Sequence, residues 1–295
     1  TRRSSDLVNL TETKTRPLPD AFGREEWIED FGERFLAHAG KLVREAGGRV
    51  VNIDLTFSET VKGLDAADLV AARNEIERAA HLRRVGHHQV EGRHVGPLAA
   101  VAPLLCAGIT VYSPLRHWQA GPGKKVAILG MGGLGHLGVK IAVALGAEVT
   151  VLGHSASKKA DALEFGAVDY LTTDESIGKI RNKFDMILNT TSADLNVDGL
   201  LAMLRVDGAL VNVGLPGTRQ NYNPFSIVDG RKSIAGSNTG GMKATQEMLD
   251  FCAKHNIGAT IELLDASDPA TIDAAYNRVV ASDIRYRFVI DTKTI

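Results

Sequence analysis

The run ILGMGGLGHLG (128–138) is the feature that most constrains how this 295-residue chain can fold. Its glycines have G-x-G-x-x-G spacing, with an apolar run, KKVAILG (124–130), before them and a helical pattern, VKIAVALGA (139–147), after them. In such a unit the first glycine permits a tight turn, the second lets the backbone approach a pyrophosphate, and the third lets the helix pack on the strand. We therefore predict that a dinucleotide, rather than a ligand-free turn, occupies this loop at Gly130, Gly132, Gly133, Leu134 and Gly135.

Strand-like and helix-like segments alternate after this loop. Three further apolar runs predict strands: EVTVLG (148–153), FDMILNT (184–190) and ALVNVG (209–214). Helical patterns cover Ser157–Phe165 and LNVDGLLAMLRV (195–206). Strands that alternate with helices of this length form parallel sheets with right-handed crossovers. We predict an α/β fold with a Rossmann-type doubly wound parallel sheet.

The end of the second predicted strand, VLGHSASKK (151–159), indicates which dinucleotide binds. NAD-binding chains usually carry Asp or Glu here for the ribose 2′-hydroxyl, and positions 152–160 hold no acid. They hold His154, Ser155, Ser157, Lys158 and Lys159 instead. Hydroxyls and cations suit a 2′-phosphate, so we predict NADP(H) in preference to NAD(H). The alternative is that the two lysines only belong to the first turn of the next helix.

The chain changes character near residue 96. Residues 1–96 are rich in Arg and contain no cysteine, and they predict helices over 24–46 and 64–84 with a strand over 49–57. We divide the chain into an atypical N-terminal segment (1–96), a dinucleotide-binding domain (97–240) and a C-terminal part (241–295). Because residue 1 is Thr, we also expect a processed chain or a piece of a longer reading frame.

Composition excludes several partners. The 34 basic and 35 acidic residues nearly cancel, so no overall positive field favours nucleic acid. No apolar run is long enough to predict a membrane span. The two cysteines do not suggest a secreted disulfide framework, and we therefore expect a reducing, cytoplasmic location.

The run from APLLCAGITVYSP to VTVLGHS (102–155) resembles zinc-dependent alcohol dehydrogenases of the medium-chain dehydrogenase/reductase superfamily. Within them it is most similar to the cinnamyl-alcohol-dehydrogenase and bacterial aldehyde-reductase branch. The resemblance continues through DMILNTTSADLN, GALVNVGLP, RKSIAGS and DIRYRFVID, and it covers about residues 97–295. It implies zinc-assisted hydride transfer between a small primary alcohol or aldehyde and NADP(H). It also implies a homodimer that pairs edge strands near RKSIAGS.

The resemblance assigns roles by position. The glycine loop holds the pyrophosphate, Gly153 to Lys158 surround the adenosine ribose, and Ser155 and Lys158 contact the 2′-phosphate. The remaining predicted contacts lie beside the nicotinamide half or, for the arginine, near the pyrophosphate: Thr110, Thr190, Gly214, Ser237, Asn238, Thr239 and Arg285.

The metal site implied by the resemblance is incomplete in this sequence. Cys106, in LLCAG, matches the last zinc ligand of these enzymes, although a cysteine there is also consistent with a small buried apolar residue. No cysteine precedes it, and Gly86-His87 is followed by His88 where these enzymes have Glu. Ligands improvised from His87, His88, Glu91 and His94 are an alternative. Residues 1–96 stand in place of a complete GroES-like catalytic domain, and the resemblance implies that residues 241–295 are the C-terminal part of the catalytic domain.

Three hypotheses follow for function. The first is an NADP(H)-dependent alcohol dehydrogenase or aldehyde reductase. The second is a truncated or chimeric remnant that binds NADP(H) without catalysis. The third is a zinc-independent quinone or enoyl reductase, which needs none of the missing ligands.

Overall fold

The computed structural model describes residues 98–291 and Thr294. The helices and the strand predicted within residues 1–96, and the histidine-rich stretch from His87 to His94, lie outside the described residues. The described part divides into two compact units, residues 106–258 and residues 98–105 with 259–294. In this part no single helix is long and apolar enough to cross a membrane; one bent pair, Ala99–Leu105 with Ala107–His117, meets that criterion by length and composition only.

The first unit is built on a six-stranded sheet in which every pairing is parallel. Its strand order is β3-β2-β1-β4-β5-β6, so the chain reverses direction across the sheet between β1 and β4. This is the strand order of a Rossmann-type doubly wound sheet, and the predicted fold class is confirmed. The strands are β1 (Lys125–Leu129), β2 (Glu148–Gly153), β3 (Asp169–Thr172), β4 (Phe184–Asn189), β5 (Leu204–Asn212) and β6 (Ser233–Gly236).

Helices connect these strands. The chain enters the described region through α1 (Leu98–Val101) and a 3₁₀ turn (Ala102–Leu105), and a second 3₁₀ turn (Ala156–Lys158) follows β2. The remaining helices are α2 (Ala107–His117), α3 (Gly135–Ala144), α4 (Lys159–Glu164), α5 (Thr173–Ser176), α6 (Val197–Met203), α7 (Phe225–Val228), α8 (Met242–Lys254) and α9 (Pro269–Val280). Local sequence explains two of the starts, since Asn196 accepts from the Gly199 N–H at 2.9 Å and Asp268 from the Ala270 N–H at 3.0 Å.

Apolar side chains cover both faces of the sheet, as expected for parallel strands between helices. On one face Ile128 and Leu188 lie beneath α3, where a Cβ added at Gly138 would be 3.5 Å from Ile128 Cδ1. On the other face α6 packs Leu200 and Leu201 against the sheet, and both are fully buried. Burial of this kind contributes about 25 cal/mol per Å² of apolar surface, so it is the main term that stabilises the sheet.

The backbone register aligns the carboxyl ends of the central strands. The end residue Leu129 pairs with Asn189, Asn189 with Asn212, and Asn212 with Gly236, while Leu129 also pairs with Leu152, one residue before the end of β2. Each segment that follows a strand therefore starts from the same edge of the sheet. This edge is where open α/β sheets bind their ligands.

Element boundaries differ from the predictions in three places. The helix predicted over 139–147 begins at Gly135, because the glycine loop feeds directly into its first turn. The helix predicted over 195–206 ends at Met203, and the next three residues belong to β5, which is irregular opposite Asp185. Strand β3 was not predicted, since only four residues form it and both its end residues, Asp169 and Thr172, are polar.

The second unit contains a parallel pair of strands, β7 (Ile261–Asp265) and β8 (Arg287–Asp291), with α9 between them in sequence. The Ala259 N–H donates to the Ala100 carbonyl at 2.9 Å and ties this pair to α1. Arg278 forms a two-bonded ion pair with Glu262, at 2.7 and 3.0 Å. Helix α8 lies instead in the first unit, where Phe251 packs on Tyr112 of α2 with ring centres 5.6 Å apart. The assignment of 241–295 to a catalytic domain stays a prediction.

Candidate functional site

The three motif glycines have three different surroundings. Gly130 has a φ of +92°, which side chains disfavour, and it directs the chain out of β1. A Cβ at Gly135 would lie 2.0 Å from the Gly130 carbonyl oxygen, so α3 approaches β1 more closely than any side chain allows. A Cβ at Gly132 would meet nothing within 4 Å. The first and third glycines are thus required by the fold itself, whereas the second leaves open space against bare backbone.

The N-terminal end of α3 has no side-chain cap. Leu134 is its N-cap residue and accepts no side-chain hydrogen bond, so no polar side chain of the cap covers the positive end of the helix dipole. The buried His136 holds the loop from inside, since its Nδ1 donates to the Gly132 carbonyl at 3.2 Å and its backbone N–H to the same carbonyl at 3.0 Å. Such a helix end suits an anionic group.

Thr190 fastens the end of β4 to the glycine loop. Its hydroxyl donates to the Leu129 carbonyl at 2.8 Å, and its N–H donates to the same carbonyl at 3.0 Å. A Cβ built on Gly130 would lie 3.0 Å from Thr190 Oγ1. The structure therefore brings Thr190, predicted to lie at the nicotinamide half, into contact with the pyrophosphate loop.

A buried asparagine pair links the ends of three strands. Asn189, fully buried, donates from Nδ2 to Asn212 Oδ1 at 3.0 Å, and Asn212 donates to the Ala235 carbonyl at 3.4 Å. Asn189 Oδ1 accepts from both the N–H and the hydroxyl of Thr191, each at 3.0 Å. Buried amides cost free energy unless they are paired, and these pairings fix where each strand ends.

The loops beyond β5 and β6 carry the other predicted nicotinamide contacts. Gly214 lies against β4's loop, since an added Cβ would be 2.1 Å from the Thr191 carbonyl oxygen. Ser237 donates its N–H to the Asn212 carbonyl at 3.0 Å, directly after β6. The Asn238 side chain accepts from the Thr239 N–H at 2.9 Å. Gly214 and the Ser237–Thr239 segment thus follow neighbouring strand ends, as their predicted role requires.

The loop after β2 presents the predicted ribose contacts. Gly153 ends the strand and is buried, His154 and Ser155 are exposed, and Lys158 is half-buried. The hydroxyls of Ser155 and Ser157 lie 2.9 Å apart. These groups form a polar and cationic cluster at the same sheet edge as the glycine loop.

Two predicted contacts do not belong to the loops that follow the strands of the sheet. Thr110 is buried in α2, with its N–H donating to the Cys106 carbonyl at 3.0 Å. Arg285 belongs to the second unit, where its backbone N–H donates to Glu262 Oε1 at 3.2 Å. Their roles toward a cofactor stay predictions.

The described residues do not by themselves form a metal site. Cys106 is exposed at the start of α2, and no group of three His, Cys, Asp or Glu side chains suited to a metal occurs within residues 98–291 and 294. The other cysteine, Cys252, is fully buried in α8, and burial raises its pKa to about 12, so its thiol stays protonated. The candidate ligands His87, His88, Glu91 and His94 lie outside the described residues.

Sequence reasoning missed the side chains that hold the site together. Asn189 and Asn212 each occupy the last position of a strand, directly after three apolar residues, and this shared position is a signal that could have identified them. Tyr170 of β3, which donates to the Ser155 carbonyl, carried no comparable signal, because its partner is distant in sequence and is backbone.

Several known proteins are similar to this chain in sequence. The zinc-binding dehydrogenase family model matches residues 133–254. The NADP-dependent alcohol dehydrogenase C 1 of Mycolicibacterium smegmatis is 53% identical over 201 residues, which are 68% of this chain and 57% of that protein. The aldehyde reductase YahK of Escherichia coli is 47% identical over 219 residues, which are 73% of this chain and 60% of that protein.

A solved structure of a similar protein also matches the fold of this chain. The cinnamyl alcohol dehydrogenase from Helicobacter pylori, complexed with NADP(H), matches with a TM-score of 0.61 and 40% identity, over 67% of this chain and 56% of that one. The chain therefore belongs to the zinc-binding dehydrogenase family. The predicted resemblance to zinc-dependent alcohol dehydrogenases of the medium-chain superfamily, over about residues 97–295, is confirmed. The chain spans less than two thirds of the length of these relatives.

The contrast between two glycines yields a first test. Gly135→Ala places a methyl group against the Gly130 carbonyl, and we expect the free energy of unfolding to fall by about 1–3 kcal/mol, as in other overpacked sites. Gly132→Ala meets open space, so we expect stability within about 0.5 kcal/mol of the parent chain. Its affinity for NADPH should nevertheless fall about tenfold, since the methyl group stands where the pyrophosphate approaches.

Urea denaturation and NADPH fluorescence titration on the same preparations measure both effects. Unchanged NADPH affinity in Gly132→Ala would place the pyrophosphate elsewhere.

Proposed function

We propose that this chain acts as an NADP(H)-dependent alcohol dehydrogenase or aldehyde reductase. It transfers hydride between NADP(H) and a small primary alcohol or aldehyde. One observation carries the proposal: the pyrophosphate-type glycine loop and an acid-free, cationic ribose loop follow adjacent strands at one sheet edge. The relatives named as NADP-dependent alcohol dehydrogenase and aldehyde reductase support the same activity.

Different residues of the chain bind different parts of the cofactor. Residues 130–135 hold the pyrophosphate, and Ser155 and Lys158 hold the 2′-phosphate. Thr110, Thr190, Gly214 and the Ser237–Thr239 segment line the nicotinamide half, and the asparagine pair keeps the last three in register. When bound, NADP(H) would donate or accept the hydride. A cytoplasmic location belongs to the same proposal, and the low cysteine content supports it.

Preference for NADPH over NADH tests the cofactor assignment. Lys158→Ala removes a cation from the ribose loop, and Ser155→Ala removes a hydroxyl. We expect NADPH affinity to fall about tenfold in Lys158→Ala, as for loss of a charge-assisted hydrogen bond, while NADH affinity stays unchanged. Ser155→Ala should show a smaller loss of the same kind.

Lys124→Ala is the matched control, because it removes the same charge just before β1, at the opposite edge of the sheet. Isothermal titration of the parent chain and the three variants with both dinucleotides measures the eight affinities. A parent chain that binds NADPH and NADH equally well would refute the 2′-phosphate assignment.

Metal content separates this function from a second candidate. The second candidate is a chain that binds NADP(H) without catalysis, and it rests on the sequence, in which no cysteine precedes Cys106 and His88 follows His87 where the related enzymes have Glu. If the first function is correct, the full chain should hold about one zinc that depends on Cys106. Cys106→Ser should then lose both the zinc and aldehyde reduction, and it should keep NADPH binding.

Elemental analysis and an NADPH-oxidation assay with an aldehyde measure these outcomes. A zinc-free chain that still binds NADPH would support the second candidate. Metal-free reduction of an activated alkene would support a quinone or enoyl reductase instead.

We further propose a homodimer formed along β6. Strand β6 is an outermost strand of the described sheet, paired on one side only with β5, and its residue Ile234 is 36% exposed. Unpaired strand edges readily pair with another chain. The parent chain should therefore have twice its monomer mass of 31.6 kDa in light scattering, and Ile234→Lys should be monomeric.

Leu163→Lys provides the control for this variant, since it places the same charge on an exposed residue of α4 in the connection between β2 and β3. A monomeric parent chain, or an Ile234→Lys variant that remains dimeric, would contradict pairing along β6.

A further inference from the structure

Tyr170 connects strand β3 to the loop that follows β2. Its side chain is 5% exposed, and its hydroxyl donates to the Ser155 carbonyl at 2.5 Å. The two residues are fifteen positions apart, so this bond is a tertiary contact between two connections of the sheet.

Gly153 makes room for this hydroxyl. A Cβ added at Gly153 would lie 1.8 Å from Tyr170 Oη and 2.4 Å from Cζ. The φ of Gly153 is not positive, so backbone conformation does not demand glycine here. Glycine is required because the Tyr170 hydroxyl, which donates to the Ser155 carbonyl, occupies the space that a Cβ of residue 153 would need.

The bond fixes the backbone that carries the polar cluster. Ser155 is extended, with φ −135° and ψ 160°, and the 3₁₀ turn Ala156–Lys158 starts immediately after it. No side chain caps that turn at Ser155. With its carbonyl held by Tyr170, Ser155 keeps its hydroxyl exposed and 2.9 Å from the Ser157 hydroxyl. Burial raises the pKa of Tyr170, so the phenol remains a donor at neutral pH.

We propose that Tyr170 is a positioning residue that determines selectivity for the 2′-phosphate over the 2′-hydroxyl of the cofactor. The proposal rests on the NADP(H) function given above. In this role the buried Tyr170 acts through the Ser155 backbone, and it holds Ser155, Ser157 and Lys158 where several charge-assisted bonds can form to one phosphate. Such bonds depend steeply on geometry, whereas a 2′-hydroxyl needs fewer of them.

Two nucleotide fragments test this role without any need for catalysis. Adenosine 2′,5′-bisphosphate carries the 2′-phosphate, and 5′-AMP lacks it. The full parent chain should prefer the bisphosphate. Tyr170→Phe, which removes only the hydroxyl, should lower that preference about five- to tenfold, as for loss of one hydrogen bond, with little change in the affinity for 5′-AMP.

Two further variants sharpen the result. Tyr112→Phe is the matched control, because it removes the hydroxyl of another buried tyrosine, 5% exposed on α2, and it should keep the full preference. Gly153→Ala displaces the same Tyr170 hydroxyl from the other side and should lower the preference as Tyr170→Phe does. It provides a second measurement if Tyr170→Phe does not fold.

Isothermal titration of each variant, with circular dichroism melts to verify folding, distinguishes the outcomes. A preference retained in folded Tyr170→Phe, or an equal loss for both fragments, would overturn the role of Tyr170 and leave the proposed function intact. A parent chain without any preference for the bisphosphate would overturn the NADP(H) assignment together with this inference.

Discussion

The hydrogen-bond register of the parallel sheet is the constraint on which the rest of the site depends. Because Leu129, Asn189, Asn212 and Gly236 end their strands in line, and Leu129 also pairs with the penultimate residue of β2, Leu152, each loop that follows begins at the same edge. A shift of one residue would turn every side chain of a strand to the other face and bury the wrong set. The packing of α3 and α6 on opposite faces therefore fixes the register, and the register fixes the site.

Close backbone contacts then hold the loops in place. The Gly135–Gly130 approach joins α3 to β1, and the Gly214–Thr191 approach joins the loops after β4 and β5. The Asn189–Asn212 pair adds side-chain hydrogen bonds inside the sheet edge, where an unpaired amide would cost several kcal/mol. The site is thus rigid mainly through backbone and amide groups.

Much of the fold could be predicted from the sequence because its signals are local. The runs from Glu148 to Gly153 and from Phe184 to Asn189 are short, mostly apolar and followed by polar residues, so they predict buried strands, and the glycine spacing identifies the turn between β1 and α3. Strand β3 and the end of α6 were missed, because a strand of four residues with polar ends and a helix that passes directly into a strand leave no periodic pattern. Ser155 and Lys158 could be proposed from the residue types after β2 and from the family resemblance, whereas Tyr170 could not.

The sequence by itself determined the fold class, the position of the glycine loop and the absence of an acid after β2, because each depends on residues that are neighbours in the chain. Only the tertiary structure decided that Gly153 serves the Tyr170 hydroxyl, that Thr190 touches the glycine loop, and that two asparagines bind each other. These contacts join residues 17, 60 and 23 positions apart. Such pairs are set by how strands align in space, and no local pattern in the chain records that alignment.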